Sequence, residues 1–234
     1  MIFCYYFCCH ITLSVHTYRI LEYSGGIYSS SYVECEEKNI GELLGEYTIN
    51  NLSMIEPASE ITCEVYKIAD ISPEFSIAIK YECETDEEKY IYFCQENYQA
   101  DNMEEFLDDS GLSKHGMVEY IALSYHGIDE YPSAYYWENV ETMTWKFLKE
   151  FDVKSQPLSE KSDFSGIRIY LKNTKLNMNY LVAISNDGGI CIDSMSFVQP
   201  IMGLTFFGTE ERVVEFVEQL KEKKAYCQSD MVEN

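Results

Sequence analysis

Short runs of β-branched and aromatic residues, each closed by Gly, Pro, Asn or Asp, recur along this chain and restrict it to folds built on antiparallel strands. Residues 18–23 and 28–34 flank Ser24, Gly25 and Gly26, which suit a hairpin turn. Residues 62–68, 76–81 and 90–94 follow, separated by Pro73 and by the acidic stretch 84–88, and predict a three-stranded meander. Residues 117–125 contain neither Pro nor Gly and predict a central strand of that same sheet. In the second half, 167–172, 180–185, 190–194 and 204–207 are strand candidates. Asn186, Asp187, Gly188 and Gly189 between the middle two are a strong hairpin signal.

Helices interleave with these runs. Asn39 is placed to cap a short helix over 40–44 that Gly45 would stop. Residues 101–111 put Met103, Phe106 and Leu107 on one face, and 138–151 carry Val140, Met143, Thr144, Phe147, Leu148 and Phe151 at helical spacing. Residues 209–220 open on Thr209, place acids in the first turn and lead into Lys221, Lys223 and Lys224. The expected class is α+β, with antiparallel β-meanders each followed by a helix. Two relations between the halves stand open: related β-sheet-plus-helix units, or unrelated ones, since residue identities do not repeat. The expected boundaries are an apolar segment 1–17, an acidic Tyr-rich α+β unit 18–154, a Ser-rich linker 155–166, a C-terminal meander plus helix 167–224 and a tail 225–234.

Charge divides unevenly between these parts. Residues 1–113 carry 5 Lys and Arg against 22 Asp and Glu, residues 114–234 carry 12 against 18, and the net is −23. Such a field repels nucleic acid and anionic membrane and favours a cationic partner. Of 20 tyrosines, all but Tyr170, Tyr180 and Tyr226 lie at or before Tyr136, in the acidic part; they suit half-buried strands or a recognition surface. Nine cysteines, an odd number without regular spacing, read as buried apolar residues of a reduced protein, with Cys63, Cys83 and Cys94 at inward strand positions. Residues 1–15 are apolar but have no basic residue before Arg19, and His10, Thr12 and Ser14 interrupt them. A buried first strand, the end of a longer membrane anchor and an unusual signal are the readings open for them.

Residues 63–80, with 40–45 before them and 102–112, 182–188 and 206–216 after them, resemble a recurrent pattern in uncharacterised membrane-anchored or lipoprotein-like domains of clostridial-type bacteria. The resemblance implies the outward-facing domain of a single-span protein, with an anti-sigma-like cytoplasmic head in some relatives, and hence a place in signalling. It carries no catalytic residues to transfer. The chain departs from the pattern in its missing or reduced anchor and in its cysteine content, so the resemblance points to an extracytoplasmic placement and the thiols to the cytoplasm.

No catalytic or metal-binding motif occurs. Cys8, Cys9, His10 and His16 match no zinc template, His115 and His126 read as satisfied surface histidines, and no G-x-S-x-G turn, EF-hand loop or phosphate-binding loop is present. A non-enzymatic chain without cofactor or metal is therefore expected. The acidic stretch with Glu84, Asp86, Glu87 and Glu88, and the aromatic triplet Tyr135, Tyr136 and Trp137, are the candidate ligand- or partner-binding residues. The functional expectation is a binding or sensor domain whose acidic surface takes a cationic ligand or protein. The alternative is a cytoplasmic immunity or antitoxin-like protein that neutralises a basic toxin. No nucleic-acid contact is expected, membrane contact only through an N-terminal anchor, and the oligomeric state is left open.

Overall fold

Ser24 and Gly25 both take positive φ, 49° and 83°, in a two-residue turn that pairs Tyr23 with Gly26. That turn joins β1 (Tyr18–Tyr23) to β2 (Gly26–Cys35) and starts a closed six-stranded barrel. The computed structural model describes residues 18–52, 59–82, 88–123, 135–137, 140–151, 167–185, 189–194, 204–223 and 225–227. The predicted linker 155–166 and the segment 1–17 lie outside them.

The barrel adds β3 (Ile40–Leu52), β4 (Ser59–Ile68), β5 (Ser76–Glu82) and β6 (Glu88–Gln95), in the order β1-β2-β6-β5-β4-β3, every described pairing antiparallel. The predicted meander is thus present as β4-β5-β6, within a closed wall. The helix expected over 40–44 is instead the start of β3, after a 3₁₀ turn at Glu37–Asn39. A five-residue helix repays its nucleation cost poorly. Here two neighbours, β1 and β4, pair with the strand that continues through Tyr47, Thr48 and Ile49. Gly45 has φ 140° and sits at a register shift in the ladder with β4, so it serves a bulge and not a helix stop.

Strand alternation then builds two cores. Leu21, Tyr28, Ile49, Cys63, Val65, Ile77, Ile79 and Phe93 form one cluster, which fills the barrel lumen. Residues of the other parity, Ile68, Ala78, Tyr92 and Cys94, belong to a larger core shared with the second half of the chain. Cys63 and Cys94 are buried as their strand positions predict, and Cys83 lies outside the described residues.

The second half is a five-stranded antiparallel sheet in the order β12-β11-β10-β9-β7. Its strands are β7 (Gly116–Leu123), β9 (Ile167–Asn173), β10 (Met178–Ile184), β11 (Gly189–Ser194) and β12 (Leu204–Phe207). A three-residue ribbon joins β8 (Tyr135–Trp137) to β13 (Ala225–Cys227), where a loop junction and a tail are expected from sequence. Strand β7 is another correction: it pairs with β9 at the edge of this sheet, not in the middle of the first meander. The turn before it explains the change of partner. Helix α1 (Met103–Asp109) ends before Gly111, whose φ of 72° reverses the chain into the single turn α2 (Leu112–His115). Thr174 then ties His115 to the β9–β10 turn, through its backbone N–H and its hydroxyl, both at 2.9 Å from the His115 carbonyl.

Asn102 caps α1 by accepting from the Glu105 N–H at 2.8 Å, and Thr209 caps α4 (Glu210–Lys221) by accepting from the Arg212 N–H. Helix α3 (Glu141–Lys149) buries Thr144, Phe147 and Leu148, and α4 buries Val213, Phe216 and Leu220. Phe147 and Phe216 stack with centroids 4.0 Å apart. The fold is mixed α and β, with the meander β4-β5-β6 before α1 and the meander β9-β10-β11-β12 before α4, but the halves differ in architecture: one is a barrel, the other an open sheet that recruits a strand from before the predicted linker. Among the described residues, no helix is long and apolar enough to cross a membrane.

The shared core holds one unmet polar group. Tyr180 is 2% exposed, and among the described residues nothing hydrogen-bonds its hydroxyl. Tyr92, equally buried, donates to the Lys175 carbonyl at 3.0 Å. An unsatisfied buried hydroxyl costs more than its removal, so Tyr180→Phe is expected to stabilise the protein by about 1 kcal/mol, and Tyr92→Phe to destabilise it by about 1 kcal/mol. Urea titrations of the two variants check this, and a Tyr180→Phe variant less stable than wild type refutes it.

Candidate functional site

Strand β4 is paired along its whole length on one edge and along only part of it on the other. Its residues from Ser59 to Ile68 pair with β3, whereas only Val65, Tyr66 and Lys67 pair with β5, opposite Ile79, Ala78 and Ile77. Beyond Ile79, β5 continues on β6 alone, through Lys80, Tyr81 and Glu82. The barrel wall therefore parts between β4 and β5. A cavity of about 460 Å³ lies at this seam, lined by Arg19, Ile49, Ile61, Cys63, Glu64 and Lys80, with Glu46 and Thr62. Its volume falls in the range of about 300–1,000 Å³ typical of ligand sites, and two other described cavities measure about 80 and 180 Å³.

Parity explains why the cavity has two characters. Ile49, Ile61 and Cys63 belong to the lumen face, with Arg19 two residues from Leu21 on the same side of β1. Glu46, Thr62 and Glu64 belong to the outer face. Glu46 and Glu64 lie directly opposite each other across β3 and β4, a like-charge pairing that works against the sheet. Two contacts relieve it: Lys80 Nζ lies 3.5 Å from Glu64 Oε2, and the Tyr66 hydroxyl donates to the same oxygen at 3.0 Å. Burial, and then the Glu64 carboxylate, push the Tyr66 hydroxyl up. The Cys63 thiol donates to the Tyr47 carbonyl at 3.5 Å and is pushed up to about 11 by burial, so it is an apolar lining group and not a nucleophile at neutral pH.

A charged clasp occupies the other end of β4. Asp70, at φ 62°, accepts from Lys114 Nζ at 3.1 Å through Oδ1, and its Oδ2 lies 3.2 Å from Lys175 Nζ and 3.1 Å from His115 Nε2. His115 is thus a satisfied histidine, as its sequence setting suggests. Three segments meet here: the barrel's β4–β5 connection, α2 and the β9–β10 turn. The lysines and His115 hold the Asp70 carboxyl well below the usual carboxylate range. A lowered folded value means that its contribution to stability is present above the unfolded value, about 4, and is lost as pH falls below it. Asp70→Asn is therefore expected to lower the melting temperature at pH 6, by a gap to wild type that narrows as pH falls from about 4 towards about 2. A gap that is unchanged down to pH 2 would refute the assignment.

The residues singled out from sequence map elsewhere. Tyr135, Tyr136 and Trp137 lie on β8, register-paired with Cys227, Tyr226 and Ala225. Trp137 is half-buried against the larger core, and the side chains of Tyr135 and Tyr136 lie outside the described residues. Glu84, Asp86 and Glu87 lie outside them as well. Glu88 begins β6 opposite Glu82, with its side chain also outside the described residues. The seam residues Glu46, Glu64 and Lys80 escape sequence reading because their juxtaposition depends on register, and Glu46 falls in the strand that imitates a helix. Cys63 alone has a local signal, the alternation of residues 62–68. Among the described residues, no group of three or more His, Cys, Asp or Glu is placed to hold a metal ion. No protein-family model, curated protein or solved structure matches this chain.

Proposed function

We propose that this chain is a binding domain whose acidic barrel takes a cationic partner at the β4–β5 seam. The observation that carries this reading is the cavity itself, which joins a lumen face of Ile49, Ile61 and Cys63, with Arg19 beside them, to an outer strip on which Glu46 and Glu64 outnumber Lys80. Exposed Glu22, Glu42 and Glu60 on β1, β3 and β4 extend the same sign of charge over the barrel surface. A cation approaching this face gains Coulomb energy from the whole barrel, and an apolar group beside that cation can enter the lumen. The family resemblance is compatible with such a role, in which the barrel is the partner-binding part of an anchored sensor.

Calorimetric titration with short basic peptides tests the proposal. Binding is expected to weaken several-fold as ionic strength rises from roughly 0.05 to 0.3 M, because exposed charges at the seam are screened. The double variant Glu46→Gln, Glu64→Gln should bind more weakly, while its melting temperature stays close to that of wild type because the loss of a like-charge pair offsets the loss of the Lys80 ion pair. Weaker binding at unchanged stability separates lost recognition from damaged folding. Equal affinity for acidic and basic peptides would overturn the proposal.

A further inference from the structure

Resting on the cationic-partner reading above, we infer that the partner docks in extended form, adding a strand to the edge of β4 between residues 60 and 64. A ten-residue strand that pairs with β5 at only three positions leaves the rest of its β5-facing edge without a described strand partner. Backbone N–H and C=O groups along such an edge are a template for another extended chain. Neighbouring strands lie about 4.8 Å apart, so a seam that admits one more strand needs its two edges about 10 Å apart, and a cavity at this point of the wall is the expected form of such a gap. Charges along the gap, Glu60, Glu64 and Lys80, also discourage a second copy of the barrel from pairing there, which leaves the edge to a partner of complementary charge.

The pleat specifies the partner's side chains. Alternate residues of an inserted strand would face the lumen beside Ile61 and Cys63 of β4, and the residues between them would face outward beside Glu60 and Glu64 of β4, with Lys80 of β5 across the gap. The partner is therefore a protein segment in which Lys or Arg alternates with small apolar residues. Ile61, 39% exposed and on the lumen side of the open edge, is the residue such a segment would cover.

Three peptides test the mode on the intact chain: alternating Lys and Val, the same peptide N-methylated at every second amide, and a peptide of equal composition with its lysines in one block. The alternating peptide is expected to bind at least about tenfold more tightly than the other two and to slow amide exchange across residues 60–64. Ile61→Lys should weaken it by a similar factor, and the peptide comparison on wild type stands even if that variant folds poorly. Equal binding of all three peptides would overturn the strand mode while leaving the cationic-partner reading intact. Failure of every basic peptide to bind would overturn both. Slow exchange of the 60–64 edge in the free protein would overturn the strand mode, because the edge would already be covered.

Discussion

Replacing Asn173 with Leu is expected to cost about 4 kcal/mol, which for a chain of this size lowers the melting temperature by roughly 10 °C. Asn173 ends β9, is fully buried, and uses both ends of its amide. Its Nδ2 donates to the Ser110 carbonyl at 2.7 Å, and its Oδ1 accepts from the backbone N–H groups of Lys175 and Leu176 at 2.9 and 3.0 Å. Ser110 and Leu176 are themselves fully buried, so the groups left behind gain little from water. Leucine keeps the branching and the number of heavy atoms, so lost hydrogen bonding, together with the bulk of two methyl groups, is the cause. The loss spreads because the turn that Asn173 shapes presents the Lys175 carbonyl to two barrel groups, Asn39 Nδ2 at 3.2 Å and the Tyr92 hydroxyl at 3.0 Å. Asn173→Asp keeps the acceptor but loses the donor and buries a charge, so it should not rescue. A denaturant midpoint within about 1 kcal/mol of wild type for Asn173→Leu would show that the turn holds its shape without the amide.

That turn also marks where sequence reading stops. The edges of most strands were legible because each is announced by local chemistry: Ser24 and Gly25 for the first hairpin, and the alternation of 62–68 and of 76–81 for β4 and β5. Helix ends were equally local, since Asn102 and Thr209 each accept a hydrogen bond three residues on. Strand partners are a different matter. Closure of the barrel pairs Tyr28 with Gln95, and β7 pairs across to β9, choices that rest on burial summed over the whole fold. Residues 40–44 show the local signal losing outright: a capping Asn, apolar residues and a following Gly are outweighed by pairing with β4 and by the continuation of the strand between β1 and β4. The candidate site inherits this difficulty. An excess of acidic residues in the first half is plain from composition, but that Glu46 meets Glu64 beside Lys80 follows only from the register set by the Gly45 bulge.

Phe106→Ala is expected to cost about 3–5 kcal/mol and to weaken the coupling between barrel and sheet. Phe106 lies on α1, 1% exposed, at the place where the two halves share a core. Its ring meets Phe75, which precedes β5, with centroids 6.1 Å apart and an edge-on tilt of 70°. On its other side it meets Tyr180 of β10 at 6.0 Å and Phe206 of β12 at 6.4 Å. A single side chain thus contacts aromatic groups from both parts of the fold, and truncating it removes ring contacts and opens a cavity that neither part can close alone. Because the large core runs without a break from Ile68 and Tyr92 to Phe206 and Leu220, the wild-type protein should unfold in one transition. Fluorescence of the two tryptophans, Trp137 and Trp145, reports on the second half, while amide exchange along β1 to β6 reports on the barrel. In Phe106→Ala the midpoints followed by these two sets of probes should separate, with the barrel retained by its own lumen cluster. Coincident midpoints together with a loss below about 1 kcal/mol would mean that the hydrogen bonds around Asn173 and Lys175, and not this aromatic contact, join the two parts.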